Sequence, residues 1–196
     1  MTALLVAIGY LCGSIPFGVL VAKLRGIDLR AVGSGNIGAT NAARALGRPL
    51  GVLVLVCDAA KALVPIAVMR AHLPTSHHSS WILAGVGFAA VLGHLFPIWL
   101  KLHGGKGVAS SLGVFLALEP KSVVIAAVVW IVLYALFRIS SLASLFSSAA
   151  LLLLLGLVHA PVPDIVLACM LFPIIVLRHR QNLVRLVHGD ERKNSR

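Results

Sequence analysis

Acidic residues are scarce in these 196 residues: Asp and Glu number 6 against 17 Lys and Arg, and charged residues of both signs make up only 12% of the chain. Asp28, Asp190 and Glu191 are scattered, so no acidic cluster is available for a hard metal ion, and neither a metal nor a cofactor is expected. The 3 cysteines, Cys12, Cys57 and Cys169, stand alone in apolar segments. That excludes a disulfide framework and a zinc site and leaves them as small packing residues. The start, Met1-Thr2-Ala3-Leu4-Leu5, lacks the basic region of a secretory signal, and the apolar run outlasts a signal's, so a retained first helix is expected. No repeat of convincing length and no long linker divides the chain, which reads as a single domain over residues 1–196. His77-His78 has neither helical spacing nor a carboxylate partner and reads as solvated loop.

Apolar sequence, by contrast, is abundant. Hydrophobic residues reach 59% and the mean hydropathy is +0.99, far above an ordinary globular domain. The chain therefore reads as an all-α, polytopic integral membrane protein. With about 20 apolar residues per straight crossing, fewer where a segment is buried in protein, seven transmembrane helices are expected. They run from Thr2 to Ala22, Leu50 to Met69, Trp81 to Pro97, Val108 to Leu118, Ser122 to Phe137, Leu142 to Val158 and Asp164 to Leu177. The fourth is too short to cross as a regular helix and is expected to be a half-span or strongly tilted. Net charge of +11 would suggest nucleic acid in a soluble chain, but here topology explains it. Lys23, Arg25, Arg30, Arg44 and Arg48 follow the first span, Lys101 and Lys106 the third, and Arg138 the fifth. Arg178, Arg180, Arg185, Arg192, Lys193 and Arg196 follow the seventh. The opposite side holds only Arg70 and Lys121, which places the N-terminus outside and the C-terminus in the cytoplasm.

Within this apolar background, polar residues need a reason. Asp58 and Lys61 lie three apart in the second span, on one helical face; unpaired at the bilayer centre each would cost about 2.5–3.5 kcal/mol. They read first as a mutually neutralised structural pair and second as a support for the cytoplasmic loops, or as a proton relay in a transporter. Three further segments fall on the cytoplasmic side. Gly33-Ser34-Gly35-Asn36-Ile37-Gly38-Ala39-Thr40-Asn41, followed by Arg44, offers backbone N–H groups, hydroxyls, amides and a planar cation. Alone, it reads equally as a capped loop or an anion site. His94 leads through Pro97 to Gly104-Gly105-Lys106-Gly107, where glycines allow a tight turn with N–H groups around one ammonium, the physical form of an anion site. Ser140-Ser141-Leu142-Ala143-Ser144 and Arg178-His179-Arg180-Gln181-Asn182 form the third. There His179 and Asn182 share a helical face, and His179 can move a proton near neutral pH.

At these residues the sequence resembles the bacterial acyl-phosphate:glycerol-3-phosphate acyltransferases of the PlsY type, over essentially the whole chain. The three motif regions look like Gly33 to Asn41, His94 to Ser110, and Ser141-Leu142 with Arg178 to Asn182. The resemblance implies transfer of a fatty acyl group from acyl-phosphate to the 1-hydroxyl of glycerol 3-phosphate, giving lysophosphatidic acid and phosphate at the cytoplasmic face of the inner membrane. An enzyme producing acyl-phosphate would act upstream. By carry-over, Ser34, Gly35, Asn36, Thr40, Asn41, Arg44, His94, Gly104, Gly105, Lys106 and Gly107 would bind substrate, and Ser141, His179 and Asn182 would complete the reaction centre. Where the family has an aromatic-lysine pair before the double glycine, this chain has Leu102-His103; where it commonly has threonine, this chain keeps a hydroxyl in Ser110. The competing reading, from the glycine-interrupted spans, is a transporter of a phosphorylated solute.

Overall fold

The computed structural model describes residues 1–191; the basic residues Arg192, Lys193 and Arg196 of the tail lie outside that range. Every secondary-structure element among the described residues is a helix, in two compact units that divide after Leu118.

The first unit begins with an apolar run broken in two, α1 (Thr2–Ser14) and α2 (Phe17–Lys23). The sequence suggested one continuous span. Pro16 breaks it, because proline has no N–H to donate and its ring collides with the turn before it. Ile15 is left extended, at φ −62° and ψ 117°. A loop then leads to the short α3 (Ala39–Leu46), and α4 (Arg48–His72) and α5 (His77–Leu95) follow. α4 and α5 begin earlier than hydropathy predicts, and α4 also ends later, so the loop between them shrinks to residues 73–76. Ser76 closes it by accepting a hydrogen bond from the Ser79 N–H at 3.1 Å, a side-chain N-cap. α1 packs closely on α5: a Cβ on Gly13 would strike the backbone of Ala90. The unit ends with α6 (Val108–Leu118). At 1.5 Å per residue, its 11 residues rise about 16 Å, roughly half a bilayer core. α6 is tolerated because it is largely buried against protein, with Gly113 seated on the backbone of Ala59. Its last carbonyls, those of Ala117 and Leu118, accept from the Arg70 guanidinium at 2.6 and 3.3 Å.

The second unit holds α7 (Pro120–Phe137), α8 (Ser140–Leu157), α9 (Val162–Arg178) and α10 (Arg180–Val187). Arg138 makes the α7–α8 turn in the left-handed region, at φ +60°. Val124, Ile125, Val128, Ile131, Val132 and Leu136 of α7 are all exposed, as suits a lipid-facing surface. From this helix the Trp130 indole N–H donates to Ser144 Oγ, 3.0 Å away on α8. α9 and α10 meet at a 57° bend at His179.

Each of the seven apolar stretches read from the sequence is mostly helical, the first being interrupted at Ile15-Pro16. Among the described residues, five helical segments are long and apolar enough to cross a membrane, counting α1 and α2 together, or six if the bent α9–α10 pair is one crossing.

Candidate functional site

In the first unit two loops carry the candidate ligands. Asn41 organises the first of them from within. Its amide nitrogen donates to the carbonyls of Leu29 and Val32, both at 3.0 Å, and its oxygen accepts from the Ser34 N–H at 2.8 Å. Asn41 is buried, so the structure makes it the loop's scaffold rather than an outward-facing ligand. Asn36 turns the chain in the same manner, its side-chain oxygen accepting from the Gly38 N–H at 2.8 Å. Ala42, on the buried face of α3, joins Ala22, Leu29 and Val54 in a small core. Thr40 and Arg44, four apart, share a helical face, and Arg44 is exposed, as are Ser34 and Gly35.

The second loop leaves α5 through Pro97 and a 3-10 turn, Ile98–Leu100. Lys101 and Leu102 are both left-handed, at φ +51° and +63°, and they reverse the chain onto the end of α5. There the Gly104 N–H donates to the Leu95 carbonyl at 3.0 Å and the Gly105 N–H to that of His94 at 3.1 Å. These two N–H groups were expected to face an anion; they instead satisfy carbonyls that a helix C-terminus would leave bare. The requirement for glycine is steric: a Cβ on Gly105 would collide with the His94 imidazole. His94 is itself buried. Gly107, at φ +90°, starts α6, so Lys106 stands beside the positive end of that helix. Tyr10 and Trp99 fasten the loop to α1, the phenol donating to the Phe96 carbonyl at 2.7 Å and the indole to Ser14 Oγ at 2.9 Å. His103 donates from Nδ1 to the Lys101 carbonyl at 2.6 Å and is exposed. Gly105→Ala is expected to destabilise the protein by about 1–3 kcal/mol through overpacking, read as a fall of several degrees in thermal midpoint in detergent.

In the second unit, Ser141 lies in the first turn of α8, while Asn182 and Arg185 lie three apart on α10. Sequence reasoning overlooked what joins them. Glu191, read there as a scattered acid, accepts from Ser141 Oγ at 2.8 Å and from Asn182 Nδ2 at 2.5 Å on one oxygen, and from Arg185 Nε at 2.8 Å on the other. The available signals were the carboxylate in a basic tail and the i, i+3 spacing of Asn182 and Arg185. Burial acts to raise the Glu191 pKa, but the hydrogen bonds from Asn182, Arg185 and Ser141, together with the Arg185 charge, outweigh it and hold the carboxyl below its usual range. A depressed pKa contributes stability that is complete above the unfolded-state value and is lost as pH falls through the folded-state value. Glu191→Gln is therefore expected to lower the thermal midpoint at neutral pH and to flatten its decline on acidification, measured by melting across pH. His179 forms the bend itself; it is buried, and its Nδ1 donates to the Ile175 carbonyl at 2.8 Å.

Helices with apolar outer faces, carrying polar side chains grouped at their ends in each unit, define an integral membrane protein. Its family follows from sequence: the chain belongs to the glycerol-3-phosphate acyltransferases, whose family model matches residues 3–189. It is 52% identical to the glycerol-3-phosphate acyltransferase of Anaeromyxobacter dehalogenans, with 97% of this chain and 96% of that protein covered. Among solved structures it is similar to PlsY, an integral membrane glycerol 3-phosphate acyltransferase, in two forms. The glycerol 3-phosphate form has a TM-score of 0.93 at 39% identity, covering 99% of this chain and 96% of that one. The lysophosphatidic acid form gives 0.91 at 38%, covering 99% and 95%. The relatives bear an acyltransferase's name, and none of these findings supports the transporter reading.

Proposed function

We propose that this chain transfers a fatty acyl group from acyl-phosphate to the 1-hydroxyl of glycerol 3-phosphate, releasing lysophosphatidic acid and inorganic phosphate. The observation that carries this reading is likeness over 99% of the chain to a protein solved in a glycerol 3-phosphate form and a lysophosphatidic acid form. Those two ligands are the acceptor and the product of one acylation.

The acceptor hydroxyl oxygen attacks the acyl carbonyl carbon, the carbonyl–phosphate oxygen bond breaks, and its electron pair leaves on phosphate. An acyl phosphate is a mixed anhydride with a good leaving group, so direct attack suffices and no cysteine or cofactor is needed. Ser34, Gly35, Asn36, Thr40 and Arg44 of the first loop, with Lys106 and the Gly104–Gly107 turn, hold phosphate groups, while Asn41 and His94 shape the two loops that carry them. Ser141 and Asn182 stabilise charge growing on oxygen, and Glu191 and Arg185 orient them. The hydroxyl proton leaves to His179 or to a phosphate oxygen of the substrate.

The basic loops favour a seven-span arrangement in the bacterial inner membrane, N-terminus outside and site toward the cytoplasm, with both units serving one acyltransferase domain and an upstream enzyme supplying acyl-phosphate. Purified protein given palmitoyl phosphate and glycerol 3-phosphate in chelator-containing detergent should release phosphate in step with lysophosphatidic acid. No phosphate release with glycerol 3-phosphate present would sink the proposal.

A further inference from the structure

The buried ion pair of α4 has a third and a fourth partner that its spacing alone does not reveal. Lys61 Nζ lies 2.7 Å from Asp58 Oδ1, 2.7 Å from the Ile15 carbonyl oxygen and 2.9 Å from His94 Nδ1. All three side chains are buried, at 6% exposure for Lys61, 2% for Asp58 and 3% for His94. The contact to Asp58 Oδ1 is an ion pair, with His94 Nδ1 a further 3.7 Å from the same oxygen, and the ammonium also reaches Ile15 and His94. A pair needed only to neutralise itself could remain on its own helix. This one reaches the break in α1–α2 and the end of α5.

Each of those targets adjoins one of the two loops assigned to phosphate. Ile15 is extended at the break, so its carbonyl lies outside the helical ladder and accepts the Phe17 N–H at 3.1 Å as well as the ammonium, and α2, which starts just beyond, leads into the loop bearing Ser34. An ammonium can only donate, so Nδ1 of His94 accepts and the neutral ring carries its proton on Nε2. That ring lies against Gly105, where a Cβ would meet Nε2 first, and the His94 carbonyl receives the Gly105 N–H. Lys106 is the next residue.

We propose that Lys61, held by Asp58, is a positioning residue for glycerol 3-phosphate: it fastens the α1–α2 break and His94 together and so sets the spacing between the Ser34–Arg44 loop and the Lys106 turn. This rests on the reading of both loops as the phosphate site. Removing one member of a buried pair strands a charge, whereas replacing both with apolar residues of similar volume does not. The test is therefore the double variant Asp58→Leu/Lys61→Met. Its expected result is a KM for glycerol 3-phosphate raised tenfold or more, a KM for palmitoyl phosphate within twofold of the parent and a thermal midpoint within a few degrees. A glycerol 3-phosphate KM within twofold, or equal shifts for both substrates, would overturn the proposal. A second measurement needs no folded variant at the pair: 15N NMR of the histidine-labelled parent protein, with His94 assigned by its loss in His94→Gln. An Nε2–H tautomer supports the arrangement, and an Nδ1–H or doubly protonated ring refutes it. Lys106→Met separates the two levels. If it leaves the glycerol 3-phosphate KM unchanged, the phosphate reading of the turn fails and this proposal with it; if it raises KM while the double variant does not, only the positioning role of Lys61 is lost.

Discussion

Replacing Lys106 by methionine should reduce kcat/KM for glycerol 3-phosphate by about 10- to 100-fold, chiefly through KM, in steady-state assays of phosphate release. A hydrogen bond to a charged group contributes about 1.5–3 kcal/mol, and each 1.4 kcal/mol is about tenfold. Methionine keeps most of the stem, so the change isolates the ammonium. His103, in the position of the family's second cation, is exposed and turned onto the Lys101 carbonyl. The Gly104 and Gly105 N–H groups are committed to α5 carbonyls, which concentrates the turn's attraction for phosphate in Lys106 and the first turn of α6. Lys106→Arg should recover only part of the loss, because a planar fork does not reproduce a compact ammonium in a turn this tight. A loss below threefold for Lys106→Met would move the phosphate to Arg44.

The apolar runs made the helices legible, since hydropathy needs no partner to be read. α6 was recognisable as short for the same reason: Gly107 opens it and Glu119-Pro120 follows it. The break at Ile15 was also written in the chain, as Pro16, but the apolar residues on either side masked it. Contacts between distant residues were not legible. Asp58 and Lys61 announce each other by their spacing, whereas His94 is 33 residues from Lys61 and no local pattern points to it. Ser141 and Glu191 are 50 residues apart. Asn41 shows the same limit from the other side: a polar residue in a glycine-rich stretch looks like a ligand until its three hydrogen bonds are found to hold the loop itself. For Gly104 and Gly105 the sequence shows a tight turn but not the neighbours it packs against. Close approach to His94 and the α5 terminus, not an outward N–H cradle, excludes a side chain there.

His179→Gln should lower kcat by about 10²- to 10⁴-fold if the imidazole is the general base, the usual range for that role. The geometry prepares it for the task. A backbone carbonyl only accepts, so the 2.8 Å contact with Ile175 places the proton on Nδ1 and leaves the lone pair of the neutral ring on Nε2. The bend between α9 and α10 holds the ring at this point, and Asn182 lies one turn further on. Glutamine can still donate from its amide but cannot take up a proton at any working pH, so it separates support of the bend from base catalysis. The pH profile provides the decision. In the parent enzyme, protonation of Nε2 at low pH removes the base, so kcat should fall on the acid side, and the variant should lose that limb along with its rate. Full turnover by His179→Gln at every pH would transfer the proton to a phosphate oxygen of the substrate and leave His179 as the structural hinge of the bend.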